Sequence, residues 1–191
     1  MKQKYFLLLF VNLLFVKCVV FHNYNPKPTD VEFTDNVGSS KSILVNIKQK
    51  LFYNGDARDL YPGSEKKLRK KFAKTLKESF LFSEVKTGLD VAEINLRIEI
   101  EDKVEIDDFS SLSYVTFYFF PAYTTDNITL TFQFRNNKTM LVHEYKRQIV
   151  QKIFIHLFLI PVTPFYFLSR DTYELVTKSV LFEADRDGVF R

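Results

Sequence analysis

An almost unbroken alternation of apolar and polar residues from Ala92 to Ile106 constrains the fold more than any other feature of the chain. Every second residue is apolar, and the residues between them are polar or charged. A period of two is typical of a β-strand with one buried face and one wet face. Asp102 interrupts the apolar row and indicates an edge, a bulge or the effective end of the strand. The chain must therefore supply other elements that cover the apolar face of a sheet.

The segment SEKKLRKKFAKTLKESF, residues 64 to 80, is suited to be that cover. Its apolar residues recur every four positions and form one stripe on a helix: Leu68, Phe72, Leu76 and Phe80. Ser64 is a good N-cap, and Glu65 is favourably placed in the first turn. The pattern predicts an amphipathic helix whose apolar stripe packs on the sheet.

The polar faces of this helix are strongly basic. Residues 64 to 80 contain seven basic and two acidic residues, a net charge of +5. One interpretation is a solvated helix face; the other is contact with anionic lipid headgroups or an acidic protein partner. The residues assigned to such a contact are Lys67, Lys70, Lys71 and Lys74. The wet face of the alternating strand is acidic in sequence, which predicts that basic and acidic surfaces lie on opposite flanks.

The remaining patterns predict further strands and a second helix. Residues 43 to 47 alternate, residues 127 to 150 are typical of a hairpin that turns at Asn136, and residues 171 to 184 are typical of a helix. The predicted fold class is α+β: a largely antiparallel sheet of four to six strands, one long amphipathic helix on a face, and a C-terminal helix.

Two apolar segments, 112–123 and 153–169, have two interpretations. Each is long enough for a buried strand, and each contains proline, which interrupts a membrane-spanning helix. The first interpretation places both segments in the core of the domain. The alternative makes the protein an integral or re-entrant membrane component that uses both.

The N-terminus carries a targeting pattern. Lys2 and Lys4 precede an apolar stretch from Tyr5 to Val16, which is typical of a secretory signal. The stretch FVKC, which ends at the only cysteine of the chain, Cys18, resembles a bacterial lipoprotein signal, although Lys17 stands where such signals carry a small residue. The resemblance implies lipid attachment at Cys18; the alternative is an uncleaved N-terminal anchor with an ordinary thiol. The predicted organisation is a signal peptide over 1–17, a lipidated cysteine and extended tether over 18–42, and a single domain over 43–191.

The charge of the chain gives no indication of nucleic-acid binding. The net charge of +4 includes three lysines within residues 1 to 17, where there are no acidic residues, so that cleavage leaves +1. The basic balance is thus largely a property of the signal, and we expect no nucleic-acid partner.

The sequence contains no recognisable catalytic constellation. Its 3 histidines are not paired at metal-ligand spacing, and it has no Gly-rich phosphate loop, nucleophile elbow or His-Glu helical motif. We therefore expect no catalytic residues, no metal and no cofactor.

The layout from Leu68 to Ile100, a helix that ends in SFLFSEV followed by the strand AEINLRIEI, resembles small bacterial envelope lipoproteins. These include accessory lipoproteins of lipopolysaccharide assembly and ABC-type transport, and more closely uncharacterised lipoproteins of Gram-negative and spirochaete envelopes. The resemblance covers residues 64 to 182 in layout and carries over only Cys18. It implies a non-catalytic protein, anchored by lipid in the cell envelope at the outer membrane, which is an accessory or scaffold in envelope assembly, lipid handling or transport.

Overall fold

The computed structural model describes residues 17–29, 41–88, 90–107, 109–115, 122–156 and 172–190. In this part of the chain the strands are β1 (Lys17–Asn25), β2 (Ser42–Tyr53), β3 (Asp56–Arg58), β4 (Glu84–Lys86), β5 (Ile94–Ile106), β6 (Ala122–Asn136) and β7 (Val142–His156). The helices are α1 (Ser64–Glu78), α2 (Phe109–Val115) and α3 (Thr172–Arg186). The α+β class predicted from the sequence is confirmed.

All seven strands of the described residues belong to one sheet, in the order β1-β7-β6-β5-β2-β3, with β4 also paired to β2. Four of the six pairings are antiparallel, whereas β2 runs parallel to both β5 and β4. The sheet therefore has more strands than the four to six predicted, and it is mixed. Alternation reports which face of a strand is buried but not the direction of its neighbour, so the parallel pairs were not visible in the sequence.

Helix α1 is the crossover that a parallel β2–β4 pair requires. The first residue of β4 pairs with Ser42 at the start of β2, whereas α1 follows the end of β2. The chain between them must run back along the sheet, so the N-terminus of α1 lies toward the end of the sheet at which β2 and β5 finish. This direction decides where the basic residues of the helix are presented.

The apolar core lies between one face of the sheet and the helices α1 and α3. Alternate residues of the long strands are buried on this face because the strand period of two sends their side chains the same way. The buried strand residues are Ile43, Val45, Ile47, Ile94, Leu96, Ile98, Ile100, Ile128, Leu130, Phe132, Phe134 and Ile149. Phe72 and Leu76 cover them from α1, and Val176, Val180 and Leu181 cover them from α3.

Polar contacts also fix α3 on strand β7. The guanidinium of Arg147, which is buried, donates to the carboxylate of Glu183. The Tyr145 hydroxyl donates to Asp187 at 2.9 Å, and burial, with this bond, raises the pKa of that tyrosine. A buried charge is tolerated only when it is paired, so this contact sets the position of α3 along the strand.

The predicted apolar stripe of α1 is correct for three of its four residues. Phe72 and Leu76 are buried and Leu68 packs against the core, but Phe80 is 48% exposed. The helix ends at Glu78, and Phe80 adopts a left-handed backbone conformation with φ of 55°. The side chain thereby leaves the line of the stripe, and Leu81 and Phe82 enter the core instead.

The start of the predicted tether is a strand. Residues 17 to 25 form β1 and pair antiparallel with β7 over nine register positions, including Cys18 with Ile155. The turn-forming residues of the segment from Asn23 to Ser42, which led to the prediction of a tether, overlap β1 only in its last three residues. Residues 1–16 and 30–40 lie outside the described residues, and the division into signal, tether and domain stays a prediction.

The segment 112–123 is not the continuous strand expected from its apolar character. Residues 109 to 115 form the short helix α2, and β6 begins at Ala122. In the second apolar segment, residues 153 to 156 belong to β7. Residues 116–121 and 157–169 lie outside the described residues. The described ends of both segments are therefore parts of the domain.

We predict that Phe72→Ala destabilises the domain by about 3–5 kcal/mol, because it leaves a cavity where three elements meet. The ring of Phe72 is 1% exposed and makes edge contacts with Phe132 of β6 and Tyr173 of α3 at centroid distances of 6.3 and 5.9 Å. Urea denaturation would measure the change. The matched control is Phe80→Ala, which should cost about 1 kcal/mol or less because that ring is half exposed. Equal losses in the two variants would contradict the observed packing.

Candidate functional site

An open groove with a volume of about 1180 Å³ runs along one side of helix α1. Leu60 and Tyr61 of the loop before the helix and Val85 of β4 also line it. Five basic residues line it: Lys66, Arg69, Lys70, Lys74 and Lys77. Two acidic residues, Glu65 and Glu78, also line it. We call this feature the basic groove.

Most cations of the basic groove have no partner in the described part of the protein. The ammonium nitrogen of Lys74 lies 3.6 Å from a carboxylate oxygen of Glu78, which follows one helical turn later, and this ion pair is exposed. Lys66, Arg69, Lys70 and Lys77 take part in no ion pair among the described residues. Concentrated, unneutralised positive charge in a concave surface raises the local concentration of anions.

The N-terminus of α1 adds to this positive potential. The N-cap is Gly63, with φ of 83° and no side-chain cap, and not Ser64 as predicted. Ser64 is the first helical residue, and its hydroxyl oxygen is enclosed without a hydrogen-bond partner among the described residues, as is Nε of Arg69. The partial positive charge of a helix N-terminus favours a nearby anion. Both enclosed atoms lie in residues that line the groove.

The structure divides the four predicted lysines into two sets. Lys70 and Lys74 line the basic groove, whereas Lys67 does not. Lys71 points to the other flank, where its ammonium lies 4.9 Å from the ring centre of Tyr173. The prediction missed Lys66, Arg69 and Lys77. Helical spacing would have found two of them, since positions 66, 70, 74 and 77 fall on one face and 67 and 71 on the next.

The wet face of the sheet is not acidic, contrary to the expectation of separated charge. On β5, Arg97 pairs with Glu99 at 2.5 Å and Lys103 pairs with Glu101 at 2.9 Å. A smaller depression of about 250 Å³ on the same face is also lined by basic residues of neighbouring strands: Lys48, Lys50 and Lys146. Two acids of β5 are thus paired with bases of the same strand, and the neighbouring strands add lysines that the sequence of β5 alone could not reveal.

A band of polar side chains crosses the covered face of the sheet beyond the apolar core. Asp126 of β6 is in register with Gln151 of β7, which is in register with His22 of β1. Asp102 lies diagonally across from Asp126, because its direct partner on β6 is Ile128. The oxygen atoms Oδ1 of Asp102 and Oδ1 of Asp126 are enclosed and have no hydrogen-bond partner in the part of the chain that the structure describes.

Burial perturbs the titration of this band. It raises the pKa of Asp102 to about 6, with a further contribution from the negative charge of Asp126. Burial likewise raises the pKa of Asp126 and lowers the pKa of His22. In each case the neutral form is favoured because the charged form loses its hydration. The band is therefore a destabilising feature at neutral pH.

The described residues contain neither a metal cluster nor a membrane-spanning helix. No group of three or more His, Cys, Asp or Glu side chains in this part of the chain is arranged to hold a metal ion. In the same residues no helix combines the length and apolar character needed to cross a bilayer.

No protein-family model matches the sequence, and no curated protein matches it. Among solved structures, the PelC dodecamer from Paraburkholderia phytofirmans matches 85% of this chain and 98% of its own, with 9% identity and a TM-score of 0.35. A protein of the DUF330 family model from Xanthomonas campestris matches 85% of this chain and 90% of its own, with 13% identity and a TM-score of 0.39. Likenesses at these scores support no conclusion on function.

We predict that Asp102→Asn raises the melting temperature at pH 7 and has little effect at pH 4. An acid whose pKa is raised by folding binds its proton more tightly in the folded state, so stability falls as the pH rises from about 4 through about 6. The amide removes this loss. Melting curves of the variant and the wild type between pH 4 and 7.5 would measure the difference.

The control for this prediction is the adjacent Glu101→Gln, on the wet face of the same strand. A hydrogen bond from Lys103 holds the pKa of Glu101 below its ordinary value, so this shift has the opposite sign. The control variant should show no gain in melting temperature at pH 7. A gain in both variants, or in neither, would be inconsistent with a buried Asp102.

Proposed function

We propose that the protein is a non-catalytic, lipid-anchored protein of the cell envelope, at the outer membrane, which binds anionic phosphate-bearing lipid headgroups in its basic groove. It acts as an accessory or scaffold in envelope assembly, lipid handling or transport. The observation that carries the proposal is the convergence of five cationic side chains on one open groove beside an uncapped helix N-terminus.

The chemistry of the groove suits a phosphate ester. Arg69 offers a planar guanidinium, which binds phosphate through two parallel hydrogen bonds, and its Nε has no partner in the described part of the chain. Lys66 and Lys70 add point charges one turn apart on the same helix face. The groove also offers apolar surface at Leu60 and Val85. A headgroup with its first methylene groups would engage both kinds of surface.

The position of Cys18 is compatible with lipid attachment. Cleavage before Cys18 would remove one of the nine register pairs of β1, that of Lys17 with His156, and leave eight. The mature chain would then begin directly at an edge strand of the sheet. The anchor would thus hold the domain against the membrane rather than at the end of a tether.

The first prediction of this proposal concerns the groove. The variant carrying Lys66→Gln, Lys70→Gln and Lys77→Gln should bind vesicles with phosphatidylglycerol more weakly, by about 1 kcal/mol per removed charge, or on the order of a hundredfold in total at low salt. The chain from residue 17 with Cys18→Ser is suited to the measurement, because it keeps all the described elements and has no lipid. Vesicle co-sedimentation over a salt series would give the affinities.

The matched control removes the same charge from the wet face of the sheet, as Lys48→Gln, Lys50→Gln and Lys146→Gln. It should retain most of the affinity, since a specific groove and not net charge attracts the headgroups. Equal losses of vesicle affinity in the two triple variants would show that net charge, and not the groove, attracts the headgroups. If an acidic peptide binds the protein and vesicles do not bind at all, the partner is an acidic protein and the lipid proposal is wrong.

The second prediction concerns the anchor. Mass spectrometry of the protein isolated from membranes should find residues 1–17 absent and a diacylglyceryl group on the sulfur of Cys18. Cys18→Ser should abolish both changes, because the thioether cannot form. An intact Met1 in the mature protein would contradict lipid anchoring and leave an uncleaved N-terminal anchor in its place.

A further inference from the structure

Three aromatic residues lie side by side on the wet face of the sheet, at the end where β1 begins. They are Phe21 of β1, Phe154 of β7 and Tyr123 of β6, and we call them the aromatic patch. Tyr123 and Phe154 are register partners, with ring centroids 4.6 Å apart. Phe21 is in register with Lys152, two residues before Phe154. The patch therefore spans three neighbouring strands.

The aromatic patch is exposed although its residues are large and mostly apolar. Phe21 is 52% exposed and Tyr123 is 50% exposed. Helix α2 lies beside it, since the Ser110 hydroxyl and the Asp107 amide donate to the carbonyl of Tyr123. Val115, at the other end of α2, is 77% exposed. Contiguous exposed apolar surface of this kind marks an interaction site.

The chain that precedes β1 indicates what covers this surface. Residues 1–16 join the sheet at Lys17, and their sequence is apolar from Tyr5 to Val16 apart from Asn12. Cys18 is in register with Ile155, and Ile155 with Ala122, so its row is adjacent to the row of Phe154 and Tyr123. The row that ends in buried Ala122 belongs to the covered face, because successive rows of a sheet face opposite sides. A lipidated Cys18 and a retained N-terminal anchor would thus both place a membrane-embedded group at the same end of the sheet as the patch.

The composition of the surface fits the interfacial zone of a bilayer. Aromatic rings with a polar tip, such as that of Tyr123, concentrate at the level of the headgroups. Lys152 is exposed between Phe21 and Thr125 and can reach lipid phosphates. The tip of the β6–β7 hairpin lies at the opposite end of the sheet, about 45 Å away along the 15 residues of β7.

We infer that the end of the sheet where β1 begins is the membrane-facing surface of the protein, and that the aromatic patch is seated among the lipid headgroups. The inference rests on the proposed membrane attachment and adds the orientation of the domain. It also directs the N-terminus of α1, with Lys66 and Arg69, toward the bilayer, because α1 starts at the end of the sheet where β2 and β5 finish.

The absence of tryptophan from the chain allows a direct test, because one introduced tryptophan reports alone. Tyr123→Trp places it in the aromatic patch. Leu141→Trp, at the tip of the β6–β7 hairpin, is the matched control, since Leu141 is also apolar and 60% exposed but lies at the opposite end of the sheet. Each full chain is reconstituted into vesicles of phosphatidylethanolamine and phosphatidylglycerol, and its fluorescence is compared in brominated and ordinary lipid.

Brominated lipid should quench the Tyr123→Trp variant by about twofold or more and leave the Leu141→Trp variant nearly unchanged, since only interfacial side chains meet the acyl chains. Iodide in the buffer should instead quench the Leu141→Trp variant more strongly than the Tyr123→Trp variant. Phe21→Trp, on a different strand, should behave as Tyr123→Trp does, which guards against a local disturbance. Melting curves identify any variant that does not fold.

Flotation of the vesicles separates the two levels of the proposal. Chains that do not float with the vesicles would overturn membrane attachment itself and, with it, the orientation. Chains that float but show quenching at the hairpin tip, or equal quenching at both ends, would overturn the orientation and leave the attachment in place.

Discussion

The packing of Phe72 between the sheet and helix α3 sets the arrangement on which the rest of the structure depends. Its ring meets Phe132 of β6 and Tyr173 of α3, so one side chain joins three elements. Because Phe72 and Leu76 point into the core, the helical period of 3.6 residues fixes the directions in which the other side chains of α1 point. The cations of the basic groove therefore face one way because the apolar stripe faces another.

The sequence predicted those elements whose burial is one-sided. Helix α1 was predicted over 64 to 80 and observed over 64 to 78, and the alternating strand was observed from Ile94 to Ile106. One-sided burial imposes a period that a single sequence reveals. The predicted stripe failed at Phe80 because a period describes a helix only until the backbone leaves it, and the left-handed φ of that residue breaks the repeat.

Elements that the sequence did not reveal depend on pairing between distant parts of the chain. Residues 17 to 25 form a strand because they pair with β7, which lies far along the chain, and their own composition does not require a strand. The parallel pairing of β2 and β5 is of the same kind. The lining of the basic groove was predicted only in part for a related reason: the number of lysines on α1 is a sequence property, but Lys71 lies against the ring of Tyr173 because of the position of α3.

Asymmetry between the two ends of the sheet gives the proposals their common physical basis. On the wet face of β5, Arg97 pairs with Glu99 and Lys103 pairs with Glu101, so these two cations are neutralised by acids of their own strand. The cations of the basic groove are instead concentrated along α1, whose positive N-terminus points to the same end of the sheet as Cys18 and the aromatic patch. Apolar contact, positive potential and the start of β1 thus coincide at one end. A bilayer with anionic headgroups matches all three, whereas a soluble acidic partner would match only the charge.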